Sequence, residues 1–174
     1  IQAPEHVRRF CGRQSRLTRT ASVALTTVDI GQLLHALNAE LAKQHEHGEI
    51  YVVGGAVMCL AFDARESTRD VDATFKPAAT VRAAAERVGA RAGKPANWLN
   101  DAVKAFVSTH RTFDPWLELP NLRVFLAQPQ YALAMKCMAM RLGAEFHDLS
   151  DVRYLLRYLN VESATEALDI VAAN

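Results

Sequence analysis

Apolar residues recur at helical spacing through Ile30, Leu33, Leu34, Leu37 and Leu41, which predicts an amphipathic helix over about residues 30–46, with Asp29 as N-cap and Gly48 closing it. The next apolar run, "EIYVV", is short and ends at Gly54 and Gly55, the pattern of a buried strand. "AVMCLAFDA" reads as a helix packed on that strand. "RDVDATF" alternates with a period of two, so Val71, Ala73 and Phe75 share one face of a second strand while Asp70, Asp72 and Thr74 share the other. Pro77 interrupts the pattern, and an alanine-rich helix follows through "TVRAAAERVGARAG" to near Gly93.

A further helix is predicted over "PANWLNDAVKAFVSTH", with Trp98, Leu99, Val103, Phe106 and Val107 as its apolar stripe. In "DPWLELPNLRVFLA" the two prolines leave only Leu122 to Leu126 as a third strand. Three helices finish the chain: Pro129 to about Leu142, about Phe146 to Leu159, and Ser163 to Ala173, the last with Ser163 as N-cap and Glu166 at the capping-box position. The order predicts an α+β protein, a small mixed β-sheet flanked by helices with a helical C-terminal half. The 174 residues suffice for one domain with a substantial core. Residues 29–128 form its core and 129–174 a helical part that completes the site.

Half of the residues are apolar and 22% charged, and no apolar run approaches the roughly 20 residues that span a bilayer, so the expectation is a cytoplasmic protein without membrane contact. Cys11, Cys59 and Cys137 are odd in number and lack metal spacing, and are expected as reduced thiols, two of them in the core. The net charge of +1 conceals an asymmetry: residues 1–28 hold five arginines (Arg8, Arg9, Arg13, Arg16, Arg19) against Glu5, a surplus of four, so the remainder carries about three negative charges by difference. Residues 1–28 read as a basic arm, either a solvated flexible end or a segment that contacts phosphates.

Two carboxylates two residues apart on one strand face, with Cα atoms about 7 Å apart, repel each other and raise each other's pKa unless a cation lies between them. Mg2+ suits such a pair, since it takes a few carboxylate oxygens together with water and substrate phosphates. The Gly54–Gly55 pair at the preceding strand end lets backbone approach a ligand and leaves amides aimed at an anion. Strand, diglycine, short helix and T-x-D-x-D on the next strand together describe a seat for a metal-bound triphosphate, with Asp70 and Asp72 as metal ligands.

The run from Gly54 and Gly55 to "TRDVD", followed downstream by "YALAMKCMAMRLGAEFHDLSDVRYLL", resembles the polymerase-beta-like nucleotidyltransferase superfamily, and within it the AbiEii and MenT type toxin components of bacterial toxin–antitoxin systems. The resemblance covers roughly residues 30–172. It implies NTP-binding roles for Gly54, Gly55 and Thr68, catalytic metal-binding roles for Asp70 and Asp72, and catalytic roles for Lys136 and for Asp148 with Asp151. It further implies transfer of a nucleoside monophosphate from an NTP, with pyrophosphate leaving, onto the 3' end of tRNA, and a cognate antitoxin as partner.

Read from the residues, several assignments keep two meanings. Lys136 lies among Ala132, Leu133, Met135, Met138 and Ala139, and either reaches an anion or snorkels to the surface. Arg141 either binds phosphate or caps the same helix. Asp148 and Asp151, one turn apart on one face, either orient Lys136 or Arg141, contact the base or sugar, or serve as N-terminal helix charges. Thr68 is either a strand-edge residue or a triphosphate contact open to inactivating phosphorylation. Arg65 and Arg69 flank the same turn, as RNA or NTP contacts or as solvated loop residues. Many enzymes of the superfamily carry a third carboxylate on a later strand. "LRVFLA" has none, and Glu118 just before it is the one nearby candidate. An antibiotic acceptor, such as an aminoglycoside or lincosamide, would suit the acidic body, and a non-catalytic NTP-binding module would suit a missing carboxylate.

Overall fold

The structure is a computed structural model that describes residues 24–103, 111–141, 143 and 147–174. The basic residues of positions 1–23 lie outside it. Its strands are β1 (Leu25–Thr26), β2 (Gly48–Val52), β3 (Ser67–Thr68), β4 (Val71–Lys76), β5 (Leu99–Asn100), β6 (Phe113–Leu119) and β7 (Leu122–Ala127). Its helices are α1 (Thr27–Ala42), α2 (Gly54–Leu60), α3 (Ala78–Arg91), α4 (Pro129–Met138), α5 (Asp148–Tyr158) and α6 (Ala164–Ala173). The fold is α+β. A five-stranded mixed sheet of order β5-β4-β2-β7-β6 forms its centre, β1 and β3 form a separate two-stranded pair, and the C-terminal part is helical.

The period-two reading of "RDVDATF" holds. Val71, Ala73 and Phe75 are buried, and with Ile50, Val52 and Val124 they give the sheet one fully apolar face, against which α1 and α3 pack. The start of α1 differs from expectation. Thr26, not Asp29, is the N-cap: its Oγ1 accepts from the Asp29 amide while the Asp29 carboxylate accepts from the Thr26 amide, a reciprocal capping box. The helix therefore begins at Thr27, and residues 25–28 belong to the fold. At the other end Ser163 caps α6 as expected, its Oγ accepting from the Glu166 amide, but the Glu166 carboxylate takes the amide of Glu162 instead of that of Ser163.

Four strands were illegible in the pattern: β1 and β3, which pair only with each other, and two that join the main sheet, β5 and β6. Trp98 and Leu99, expected in a helix, lead into β5, which runs parallel to β4 with Leu99 opposite Val71 and Asn100 opposite Asp72. Trp98 is fully buried, donates Nε1–H to the Ala85 carbonyl at 2.8 Å, and occupies the space that a side chain at Gly89 would need. Phe106 and Val107 lie outside the described residues. The second strand, β6, forms a hairpin with β7 even though it contains Pro115; the register shifts between Pro115 and Leu117, and β6 is an edge strand, where a missing N–H is tolerated. Cys59 is buried and Cys137 half-buried; Cys11 lies outside the described residues. Among the described residues no helix is long and apolar enough to cross a membrane.

Candidate active site

Beside the end of the sheet where β2 runs into α2 lies a cleft of about 810 Å³. Gly54, Gly55, Thr68, Asp70, Asp72, Lys136, Arg141 and Asp148, far apart in sequence, all line it.

One wall is acidic. Asp72 is the second residue of β4, and Asp70 lies in the bend before it. Asn100 of β5 donates Nδ2–H to Asp70 Oδ2 at 3.0 Å, and the Thr68 hydroxyl donates to the Asp70 carbonyl at 3.2 Å. Among the described residues no lysine or arginine stands in ion-pair range of either carboxylate. Burial, and after it the charge of Asp72, push the Asp70 carboxyl above its ordinary value. A group whose folded pKa is raised stabilises the fold fully below its unfolded pKa, and that contribution is lost as pH rises through the folded pKa. Asp70→Asn is therefore expected to raise the melting temperature near neutral pH, and the advantage should vanish in melts at about pH 3, below the usual carboxylate range. A lower melting temperature at neutral pH would contradict the repulsion.

The two glycines act here through the space they leave. Gly54 has φ +68°, and a Cβ on it would lie 2.9 Å from Asp72 Oδ2. A Cβ on Gly55 would lie 2.7 Å from Thr68 Oγ1. With seven residues, α2 puts little dipole behind its first amides.

The opposite wall is cationic. Lys136, in the last turn of α4, is only 8% exposed, and its Nζ lies 2.7 Å from Asp151 Oδ2 and 3.1 Å from Asp148 Oδ1, both on the first turn of α5. Arg141 donates from its amide and from Nε to Asp148 Oδ2, at 3.3 and 2.9 Å. Arg65, from the segment between α2 and β3, grips Asp151 with its fork, Nε to Oδ1 at 2.8 Å and a terminal nitrogen to Oδ2. Burial works to raise the Asp148 carboxyl, but hydrogen bonds from Arg141 and Lys136 outweigh it and the net shift is downward. Among the described residues, Lys136, Arg65 and Arg141 thus gather on Asp148 and Asp151, and all three line the cleft. Of the alternatives open for Asp148 and Asp151, the geometry favours the orienting one. Asp148 contacts both Lys136 and Arg141, and Asp151 lies behind the cleft lining beneath Lys136 and Arg65.

Glu118 requires a correction. It is exposed on β6, paired in register with Arg123, which pairs in turn with Glu49, at the end of the sheet away from the cleft. The Val53 amide donates to the Asp72 carbonyl at 2.9 Å, and one step beyond the Val52–Leu126 pair sets Ala127 beside Val53, with Phe113 opposite Ala127. The row of Asp72 across these strands thus holds no further carboxylate. Asn100 and the grip of Arg65 on Asp151 were not foreseen. Asn100 was hidden in an expected helix, and Arg65 offers only its closeness to Thr68, which any loop arginine there would share.

Among the described residues no cluster of three or more His, Cys, Asp or Glu could hold a metal ion. The pair Asp70 and Asp72 does suit Mg2+. Among the described residues it makes no ion pair, one member is raised in pKa, and it opens on a cleft where water and phosphates could supply the remaining ligands. Comparison of the chain with protein-family models, with curated proteins and with solved structures gave no match, so its functional reading rests on this cleft.

Proposed function

We propose that the chain is a nucleotidyltransferase of the polymerase-beta-like type, acting as the toxin of a toxin–antitoxin pair on the 3' end of tRNA. The observation that carries the chemistry is the pairing of opposite walls in one cleft: two carboxylates that make no ion pair among the described residues face Lys136, Arg65 and Arg141, which are held by Asp148 and Asp151. A metal-bound triphosphate complements both walls at once, its cation toward Asp70 and Asp72 and its phosphates toward Lys136 and Arg141. Phosphoryl transfer needs positioning and charge neutralisation more than covalent help, which is what such walls offer.

In this reading Asp70 and Asp72 would hold Mg2+, which when bound supplies Lewis acidity to the phosphates and to the attacking hydroxyl. Asn100 fixes the Asp70 carboxylate, and Lys136 and Arg141, held by Asp148, take the negative charge of the triphosphate. The acceptor hydroxyl oxygen bonds to the α-phosphorus, the bond to the β-phosphate bridging oxygen breaks with its electron pair on pyrophosphate, and the hydroxyl proton goes to solvent. The arginine-rich residues 1–23 favour an RNA acceptor, and Ala24, where the described chain begins, lines the cleft.

The test is incubation with each α-labelled NTP, Mg2+ and total tRNA, with nuclease mapping of the label. Label at tRNA 3' ends is expected. Label only in an added aminoglycoside or lincosamide would change the acceptor, and bound but unreacted NTP would reduce the protein to a binding module. Absence of NTP binding would end the nucleotide reading altogether.

A further inference from the structure

Arg65 has a place that a surface tie does not explain. Its side chain is 15% exposed, and a guanidinium carries five N–H donors in a fixed fork. Asp151 takes one edge of that fork, Nε and one terminal nitrogen. The other terminal nitrogen, Nη1, lies where the diglycine leaves room: a Cβ on Gly55 would come within 3.2 Å of it and within 2.7 Å of Thr68 Oγ1. Among the described residues no protein acceptor is paired with Nη1, although the nitrogen belongs to a largely buried cation. Nη1 is not among the buried atoms left without a partner, so it keeps an open side on the cleft, where an acceptor can reach it. Arg65, Gly55 and Thr68 all line the cleft.

Asp151 also serves Lys136, at 2.7 Å, so one buried carboxylate sets both cations, and neither can turn away without leaving the other's partner less neutralised. A fork locked along one edge presents its other edge in a fixed direction, which suits the paired oxygens of a phosphate better than a point charge does. We propose that Arg65 is a phosphate-binding residue of the cleft, its Nη1 edge receiving the terminal phosphates of the nucleotide in the space beside Gly55, and that Asp151 is the positioning residue that aims it. The proposal rests on the nucleotide reading and adds to it the seat of the departing pyrophosphate.

The probe is inorganic pyrophosphate with Mg2+, titrated by calorimetry into the full chain, with Mg2+-NTP in a parallel titration and circular dichroism as the check on folding. Arg65→Ala is expected to weaken pyrophosphate binding about 10- to 100-fold, the range of a charge-assisted hydrogen-bonded pair. Arg65→Lys, which keeps the charge and gives up the fork, should recover only part of it and carries the test should the alanine variant fail to fold. Asp151→Asn, which keeps the Arg65 side chain but loosens the carboxylate that aims it, should also weaken binding. In single turnover the loss should appear in NTP affinity and in the rate of the labelled step together, whereas a merely structural tie would lower the melting temperature alone. Wild-type binding of pyrophosphate with unchanged affinity in folded Arg65→Ala and Arg65→Lys would overturn the proposal and leave the nucleotide reading standing. Failure of the wild type to bind either probe would overturn both.

Discussion

Asp72→Asn is expected to lower nucleotidyl transfer by about a thousandfold or more, roughly 4 kcal/mol of transition-state stabilisation, while the melting temperature holds or rises. The substitution is nearly isosteric. It keeps the strand, whose buried face is Val71, Ala73 and Phe75, and removes only the charge on the cleft side. Because Asp72 adds to the upward shift of Asp70, neutralising it relieves the folded state of a repulsion. Steady-state rates and thermal melts of the same preparation separate the two effects. Glu118→Gln is the matched control, since its side chain is exposed at the opposite end of the sheet and should leave the rate unchanged. Retention of more than a tenth of the rate in Asp72→Asn would show that the cleft is not where transfer occurs.

The second large effect is expected from Lys136→Met, which preserves length and apolar packing and deletes the ammonium. Breaking a buried pair outright costs about 3–5 kcal/mol because it strands a charge. Here Asp148 keeps Arg141 and Asp151 keeps Arg65, so about 1–3 kcal/mol is expected, measured by urea unfolding near neutral pH. The sign with pH follows from Asp148. Its folded pKa is depressed, so the stability it confers is present above the unfolded pKa and lost as pH falls through the folded one. The gap between variant and wild type should narrow in acid. NTP affinity should fall about 10- to 100-fold on the proposed reading, since the deleted group is the most buried cation of the cationic wall. A variant as stable as the wild type at neutral pH would mean that the pairs to Asp148 and Asp151 contribute nothing in solution.

The α+β class and the alternation of β4 were legible because hydrophobic periodicity reports which face a segment buries, and burial is what these segments share. The seat beside Gly54, Gly55, Thr68, Asp70 and Asp72 was read from the residues, whereas the arrival of Lys136 at the same cleft was foreseen only through a resemblance. Periodicity says which face a residue occupies but not which distant helix will face it. What failed, failed for the same reason. β5 is two residues long and exists because β4 offers it a partner, and β6 tolerates Pro115 because it lies at an edge. Neither fact belongs to the local sequence. The N-cap shifted from Asp29 to Thr26 because the two residues cap each other, and a reader looking for one polar residue before the apolar run takes the nearer.

Position 54 is closed to drift on two grounds at once. Its backbone has φ +68°, a left-handed turn that L side chains rarely adopt, and the place where a methyl group would go is within 2.9 Å of an Asp72 oxygen. Every missense change of a glycine codon adds at least that methyl, so each such lesion would press on the acid wall before it disturbed the core. If the activity burdens the cell that makes it, codon 54 is where escape mutants should collect: full-length, folded and silent.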